Sequence, residues 1–292
     1  RAANLISKAS FIQEATDKDL EEADLLLAQF NPVWKGTNLQ KNEYEIEDIS
    51  KILHNSLKGR QGKPLTLALD STFDLINSSK TGQLLNEFQE EIKQGTLNVI
   101  CYRSGLKFDL FGMDNYCGAP FYTIHSQDEK WTFFDAILKD PVLQADQLSL
   151  NWFCLAYQNA PLQLELYQKQ IFDNTKKLLG KVPNRLLNKN VNYRIIPIKD
   201  GVDPVFIDIT VFGPLHQIKT AALVGGYLSV KCIEEGFPLF YRLSVGFHHT
   251  NLTMLFGEDC STIRLTLGPD SDQVDFLAKC FERIDALNDS SP

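Results

Sequence analysis

Leu65-Thr66-Leu67-Ala68-Leu69-Asp70 and, one helical pattern later, Leu97-Asn98-Val99-Ile100-Cys101-Tyr102 are the stretches whose reading decides the fold. Each is a short, nearly continuous apolar run, as in a strand covered on both faces rather than one with a wet face. Between them Leu84, Leu85, Phe88 and Ile92 recur at helical spacing and stop at Gly95. Upstream, Leu25-Leu26-Leu27-Ala28-Gln29-Phe30 is a third such run, ended by Asn31-Pro32. Residues 43–58 then set Ile46, Ile49, Ile52, Leu53 and Leu57 on one helical stripe. Strand, helix, strand, helix, strand predicts a parallel sheet with right-handed crossovers, in which ligands gather outside the carboxyl ends of the strands.

The second half changes character. A helical stretch near 148–158 precedes Pro161 and a long helix from Leu162 to about Leu179, stopped by Gly180. Strand-like runs follow at Tyr193–Ile198, Val205–Val211, Leu239–Val245 and Thr262–Leu267, with a helix near Thr220–Glu235. A last helix carries Val274, Leu277, Phe281 and Ile284 on one stripe. The expected fold class is α/β: a large domain over 1–180 with a mainly parallel sheet and crossover helices, and a smaller α+β C-terminal domain over 181–292.

Composition narrows the function. The 29 Lys+Arg against 37 Asp+Glu leave a net charge of −8, so the broad positive field of a nucleic-acid binder is missing. Every apolar run is broken by charge, Gly or Pro well short of the ~18 residues of a membrane span, and no secretory signal is visible. Six cysteines without a C-x-x-C pair read as buried thiols of a reducing compartment, hence a cytoplasmic location. The chain opens at Arg1, in a polar stretch, and reads as a piece of a longer product.

Asp70, Ser104 and Lys107 stand out because each follows a predicted parallel strand, and one strand–helix–strand unit separates Asp70 from Lys107. Taken singly, such an Asp is usually a turn residue and such a Lys a surface group. Other candidates are weaker. His248-His249 has no third ligand at a recognisable spacing, and neighbours on a strand face opposite ways, so no metal site is expected. Gly225-Gly226 reads as packing inside a helix, Trp131, Phe133 and Phe134 as a buried patch, and Gln89-Glu90-Glu91 as a solvated helix face.

The segment Asn98–Phe108, followed by Gly112 and Gly118-Ala119, resembles the lysine segment of fold-type I pyridoxal-phosphate enzymes, above all aminotransferases of the histidinol-phosphate group. Leu65–Phe73 resembles their preceding strand, Leu25–Gly36 their Asn-Pro…Gly turn, and Thr262–Gly268 with the helix to Leu287 the end of their small domain. The similarity is collinear from about Asp24 to Leu287. It implies that Lys107 condenses with the cofactor aldehyde and moves the substrate α-proton, and that Asp70 keeps the pyridine nitrogen protonated so that the ring accepts electrons. By the same resemblance Ser104 bonds the cofactor phosphate and Asn31 the ring hydroxyl. Arg264, alternating with Ile263, Leu265 and Leu267, leaves the apolar face, where its fork can bind a substrate α-carboxylate.

The implied function is pyridoxal-phosphate-dependent transformation of an amino acid, by transamination, in a homodimer. The pattern departs in three places. Phe73 stands where these aminotransferases carry a Tyr, and Asp114 and Asn115 stand where an Arg meets the phosphate. The wording Asp70–Phe73 is nearer the cystathionine synthase/lyase branch, so the branch stays open. Only Arg1–Asp24 precede the first matching strand, which makes the large domain partial and leaves Leu25–Phe30 as an apolar edge. A longer parent chain or another subunit is expected to supply the rest; the alternative is a catalytically degenerate module serving as a binding or scaffolding domain.

Overall fold

The computed structural model describes residues 16–30, 46–60, 62–113, 118–187, 193–195, 205–212, 217–242, 246–256 and 260–289. The three apolar runs form β1 (Leu25–Gln29), β2 (Leu65–Asp70) and β3 (Leu97–Tyr102), parallel and in register, with Leu26 opposite Leu67 and Leu67 opposite Val99. Helix α1 (Asp17–Glu22) precedes β1, α2 (Ile46–Leu57) lies between β1 and β2, and α3 (Lys80–Glu87) with α4 (Gln89–Lys93) between β2 and β3. The helix expected across 84–95 is thus two short ones that meet at the buried Phe88. An unanticipated β4 (Phe121–Ile124) runs antiparallel to β3 and completes the order β1-β2-β3-β4, followed by α5 (Glu129–Leu138).

One face of this sheet carries a core of Leu26, Leu67, Leu69, Val99 and Cys101 against Ile49, Leu53, Leu84 and Phe88 of the helices. The expectation that Leu25–Phe30 is buried on both faces fails for β1. Leu25 is half exposed and Leu27 is 62% exposed, because β1 is an edge strand whose second face no described element covers. Phe133 on α5 is likewise exposed rather than buried in a patch, whereas Trp131 stacks flat on His125 at 4.5 Å.

The remaining elements are α6 (Gln147–Cys154), α7 (Pro161–Leu179), β5 (Tyr193–Ile195), β6 (Ile207–Phe212), α8 (Gln217–Glu234), β7 (Phe240–Tyr241), β8 (Asn251–Phe256), β9 (Cys260–Thr266) and α9 (Asp272–Asp289). Their strands make a second sheet in the order β5-β6-β9-β8-β7, antiparallel except for β7 beside β8. Ile207, Ile209, Leu252, Ile263 and Leu265 meet Leu178, Leu228, Val274, Leu277 and Phe281 in its core, so the stripe read on the last helix is the buried one. Gly225 packs as expected: a side chain there would meet Met254 Cε at 2.7 Å. His248 and His249 sit on a bend before β8 rather than on a strand, their rings 4.3 Å apart. Among the described residues four cysteines are buried, but Cys154 is exposed.

Two compact units share the chain: residues 1–71, 78–103 and 121–144 form the first, and 72–77, 104–120 and 145–292 the second. Among the described residues no helix is long and apolar enough to cross a membrane.

The one-sided burial of β1 is testable. Leu67→Ala is expected to cost about 2–5 kcal/mol of stability in a denaturant titration, and Leu27→Ala on the open face less than about 1 kcal/mol. Equal losses would mean that β1 is covered on both sides.

Candidate active site

Strands β2 and β3 end in register, Asp70 opposite Tyr102, and the Ser71 N–H donates to the Tyr102 carbonyl at 2.9 Å. Asp70 is therefore the half-buried last residue of a parallel strand in the first unit. The chain then enters the second unit at Thr72 and again at Ser104. There the Ser104 N–H donates to Thr72 Oγ1 at 2.9 Å, a partner that the sequence reading passed over. Ser104 opens a single wide turn of i→i+5 type, Gly105–Asp109, and Lys107 is its middle residue, half buried. Such one-turn bulges gather at functional sites.

The turn is held from several sides. The Gly105 N–H donates to the Gly118 carbonyl at 2.8 Å, and a Cβ at Gly105 would stand 2.2 Å from Phe153, so only glycine fits. Phe111 and Gly112 then both take left-handed backbone, φ +54° and +66°. For Phe111 this costs about 1–2 kcal/mol, and Gly112 is pressed so closely on Tyr167 and the Phe247–His248 backbone that a Cβ would meet His248 N at 2.6 Å. The Tyr167 hydroxyl beside it is buried without a hydrogen-bond partner among the described residues, and burial pushes its pKa well above the usual phenol range.

Phe108, next to Lys107, begins a run of ring contacts. Phe108 meets Phe73 edge-on at 6.2 Å and stacks on Phe247 at 4.2 Å, and Phe73 meets Phe206 at 5.1 Å. The Arg264 guanidinium lies over the Phe206 ring at 4.3 Å. One aromatic cluster inside the second unit thus runs from Phe108, the residue after Lys107, to Arg264. Phe73, which breaks the aminotransferase pattern, is a buried member of it.

Arg264 leaves the apolar face of β9 as expected, but that strand is buried on both faces and the residue is 3% exposed. Asp208, directly opposite on β6, receives Nε at 2.8 Å and Nη2 at 2.7 Å in a bidentate pair. One edge of the fork that the resemblance offers to a substrate carboxylate therefore already holds a carboxylate of this chain. Thr253, opposite Arg264 on β8, and Thr266, two residues on, have buried hydroxyls without a partner among the described residues. Asp208, Phe206 and the threonines escaped the sequence reading; the available signal was an Asp inside the β-rich run Ile207–Phe212, where that residue is disfavoured. Asn31, Asp114 and Asn115 lie outside the described residues. Among those described, no three His, Cys, Asp or Glu side chains are grouped to hold a metal ion.

No family model matches the chain, and no curated protein matches it. Solved structures do. An alanine aminotransferase from Pyrococcus furiosus superposes over 96% of this chain and 60% of its own, with a TM-score of 0.51 at 12% identity. At the level of fold the chain is similar to an aminotransferase. OvoB (TM-score 0.49, 14% identity) matches over 92% of this chain and 59% of its own. An aspartate transaminase from Corynebacterium glutamicum (0.46, 13%) matches over 91% and 58%. The chain spans about three fifths of the length of these structures. The α/β architecture with a mainly parallel first sheet is thus that of part of an aminotransferase fold.

The Arg264–Asp208 pair predicts a non-additive response. Asp208→Ala should cost about 3–5 kcal/mol by leaving a buried cation uncompensated, while Asp208→Leu combined with Arg264→Met should cost clearly less. Denaturant unfolding of the wild type, Asp208→Leu, Arg264→Met and the double variant closes the cycle; additive losses would show that the two side chains are not coupled.

Proposed function

We propose that the chain carries part of the site of a pyridoxal-phosphate-dependent enzyme that transforms an amino acid, by transamination, within a longer or multi-chain protein. One observation supports this most: Phe108, the residue after Lys107 in the wide turn, belongs to the aromatic cluster that ends on the buried Arg264. The aminotransferase fold supports it at the level of architecture.

On this reading, residues singled out by the resemblance would hold part of the cofactor. Lys107 would anchor its aldehyde carbon through the amine, Asp70 would hold the ring nitrogen, and Ser104 would bond the phosphate; the bound ring supplies an electron sink for the bond broken at the substrate α-carbon. Residues 108–113 bring no cation to the phosphate. Asn31 would bond the ring hydroxyl. Asp208 and Phe206 hold Arg264 by its Nε side and its ring face, which leaves the Nη1 edge of the fork to meet a substrate carboxylate. The lone hydroxyls of Thr253 and Thr266, on the same face of the sheet, would satisfy further substrate oxygens.

A second reading, a degenerate aminotransferase-like module with a binding or scaffolding role, draws on Phe73 being packed as a core ring and on Asp208 filling one side of Arg264. A titration separates the two. Pyridoxal phosphate added to the complete longer or multi-chain protein should give a visible absorption band that Lys107→Ala abolishes, and borohydride reduction should fix the cofactor mass on the peptide containing Lys107. No band, or a band that survives Lys107→Ala, overturns the catalytic reading.

A further inference from the structure

Helix α8 (Gln217–Glu234) is apolar nearly all round, a pattern of helices covered on every side. The second sheet accounts for one stripe only, where Ala221, Val224, Leu228 and Cys232 enter the core. On the opposite side Leu223 is 73% and Ile233 72% exposed, with Val230 and Gly226 exposed between them. Positions 223, 226, 230 and 233 follow the three-four-three spacing of a helix–helix seam. At Gly226 an added Cβ would meet nothing within 4 Å, so the backbone is open to close approach there.

The ends of this face carry charge of the wrong sign for the helix itself. Lys219 stands exposed in the first turn and Glu234 exposed in the last, against the macrodipole, which favours acids at the start and bases at the end. An antiparallel copy of the same helix reverses that penalty. With the two-fold axis between Gly226 and Tyr227, Lys219 comes opposite Glu234 of the second copy, twice over, and Leu223 opposite Val230. A two-fold interface has to be complementary to itself, and this face is. Glu234 also pairs with Lys231 of its own helix, which leaves one carboxylate shared between two lysines.

We infer that the outer face of α8 is the docking surface for a second copy of this chain, packed antiparallel helix on helix. Apolar burial drives the association, and the end charges set its direction, since exposed ion pairs are individually weak. Two such helices bury an area at the low end of specific interfaces, about 1,000 Å², so the dimer is a reversible one. The inference is independent of the catalytic reading, which uses no residue of α8.

Sedimentation velocity on the 292-residue chain, from about 1 to 100 μM, should show a concentration-dependent monomer–dimer equilibrium. Lys219→Glu and Glu234→Lys should each weaken it about tenfold or more by placing like charges opposite, and an equimolar mixture of the two variants should recover it as a heterodimer. Leu223→Glu should abolish it with thermal unfolding unchanged, since the side chain touches no core. A chain that stays monomeric, self-association that Leu223→Glu leaves intact, or a mixture that fails to recover would each overturn the inference.

Discussion

A guanidinium sealed beneath a phenyl ring keeps its charge, so the carboxylate that neutralises it has to be built into the same sheet. Arg264 and Asp208 meet that demand through strand register alone, as directly opposed residues of β9 and β6. The same register sends Ile263 and Leu265 with Ile207 and Ile209 to the helix-covered face. A slip of one residue would bury Asp208 among hydrocarbon and strand Arg264 without its partner, so the polar and apolar faces specify one pairing together. Phe206 then caps the cation, and through Phe73 and Phe108 the cap reaches the lysine turn.

The lysine turn is fixed by a different constraint, that of space. Gly105 is wedged against Phe153, Gly112 against Tyr167 and the backbone before β8, and Phe111 between them pays for a left-handed conformation. Strain of this kind persists only where the surroundings over-determine the backbone. Here the surroundings are α6, α7 and the loop at Phe247, all elements of the second unit. The placement of Lys107 is therefore a property of tertiary packing, although the residue follows directly on a strand that hydrophobic pattern reveals.

This explains how unevenly the sequence could be read. The strands β1, β2, β3 and β9, the helices α2, α7, α8 and α9, and the parallel order of the first sheet show in one chain because apolar period and stop residues encode them locally. Strands such as β4 (Phe121–Ile124) and β8 (Asn251–Phe256) are specified by their neighbours rather than by alternation, and were not legible. Nor was the covering of β1: its run of leucines looks the same whether a layer lies over Leu25 and Leu27 or not. At the site, the resemblance singled out Asp70, Ser104, Lys107 and Arg264, but not Asp208, Thr72 or Phe206, whose roles arise only where distant strands and loops come into register.

Phe73 shows how such a difference should be weighed. A tyrosine in its place would carry a hydroxyl into a cluster of Phe108, Phe206 and Phe247, where a buried oxygen without a partner costs about 1–3 kcal/mol. Packing alone is sufficient reason for the phenyl ring, so its presence does not by itself argue that chemistry has been lost.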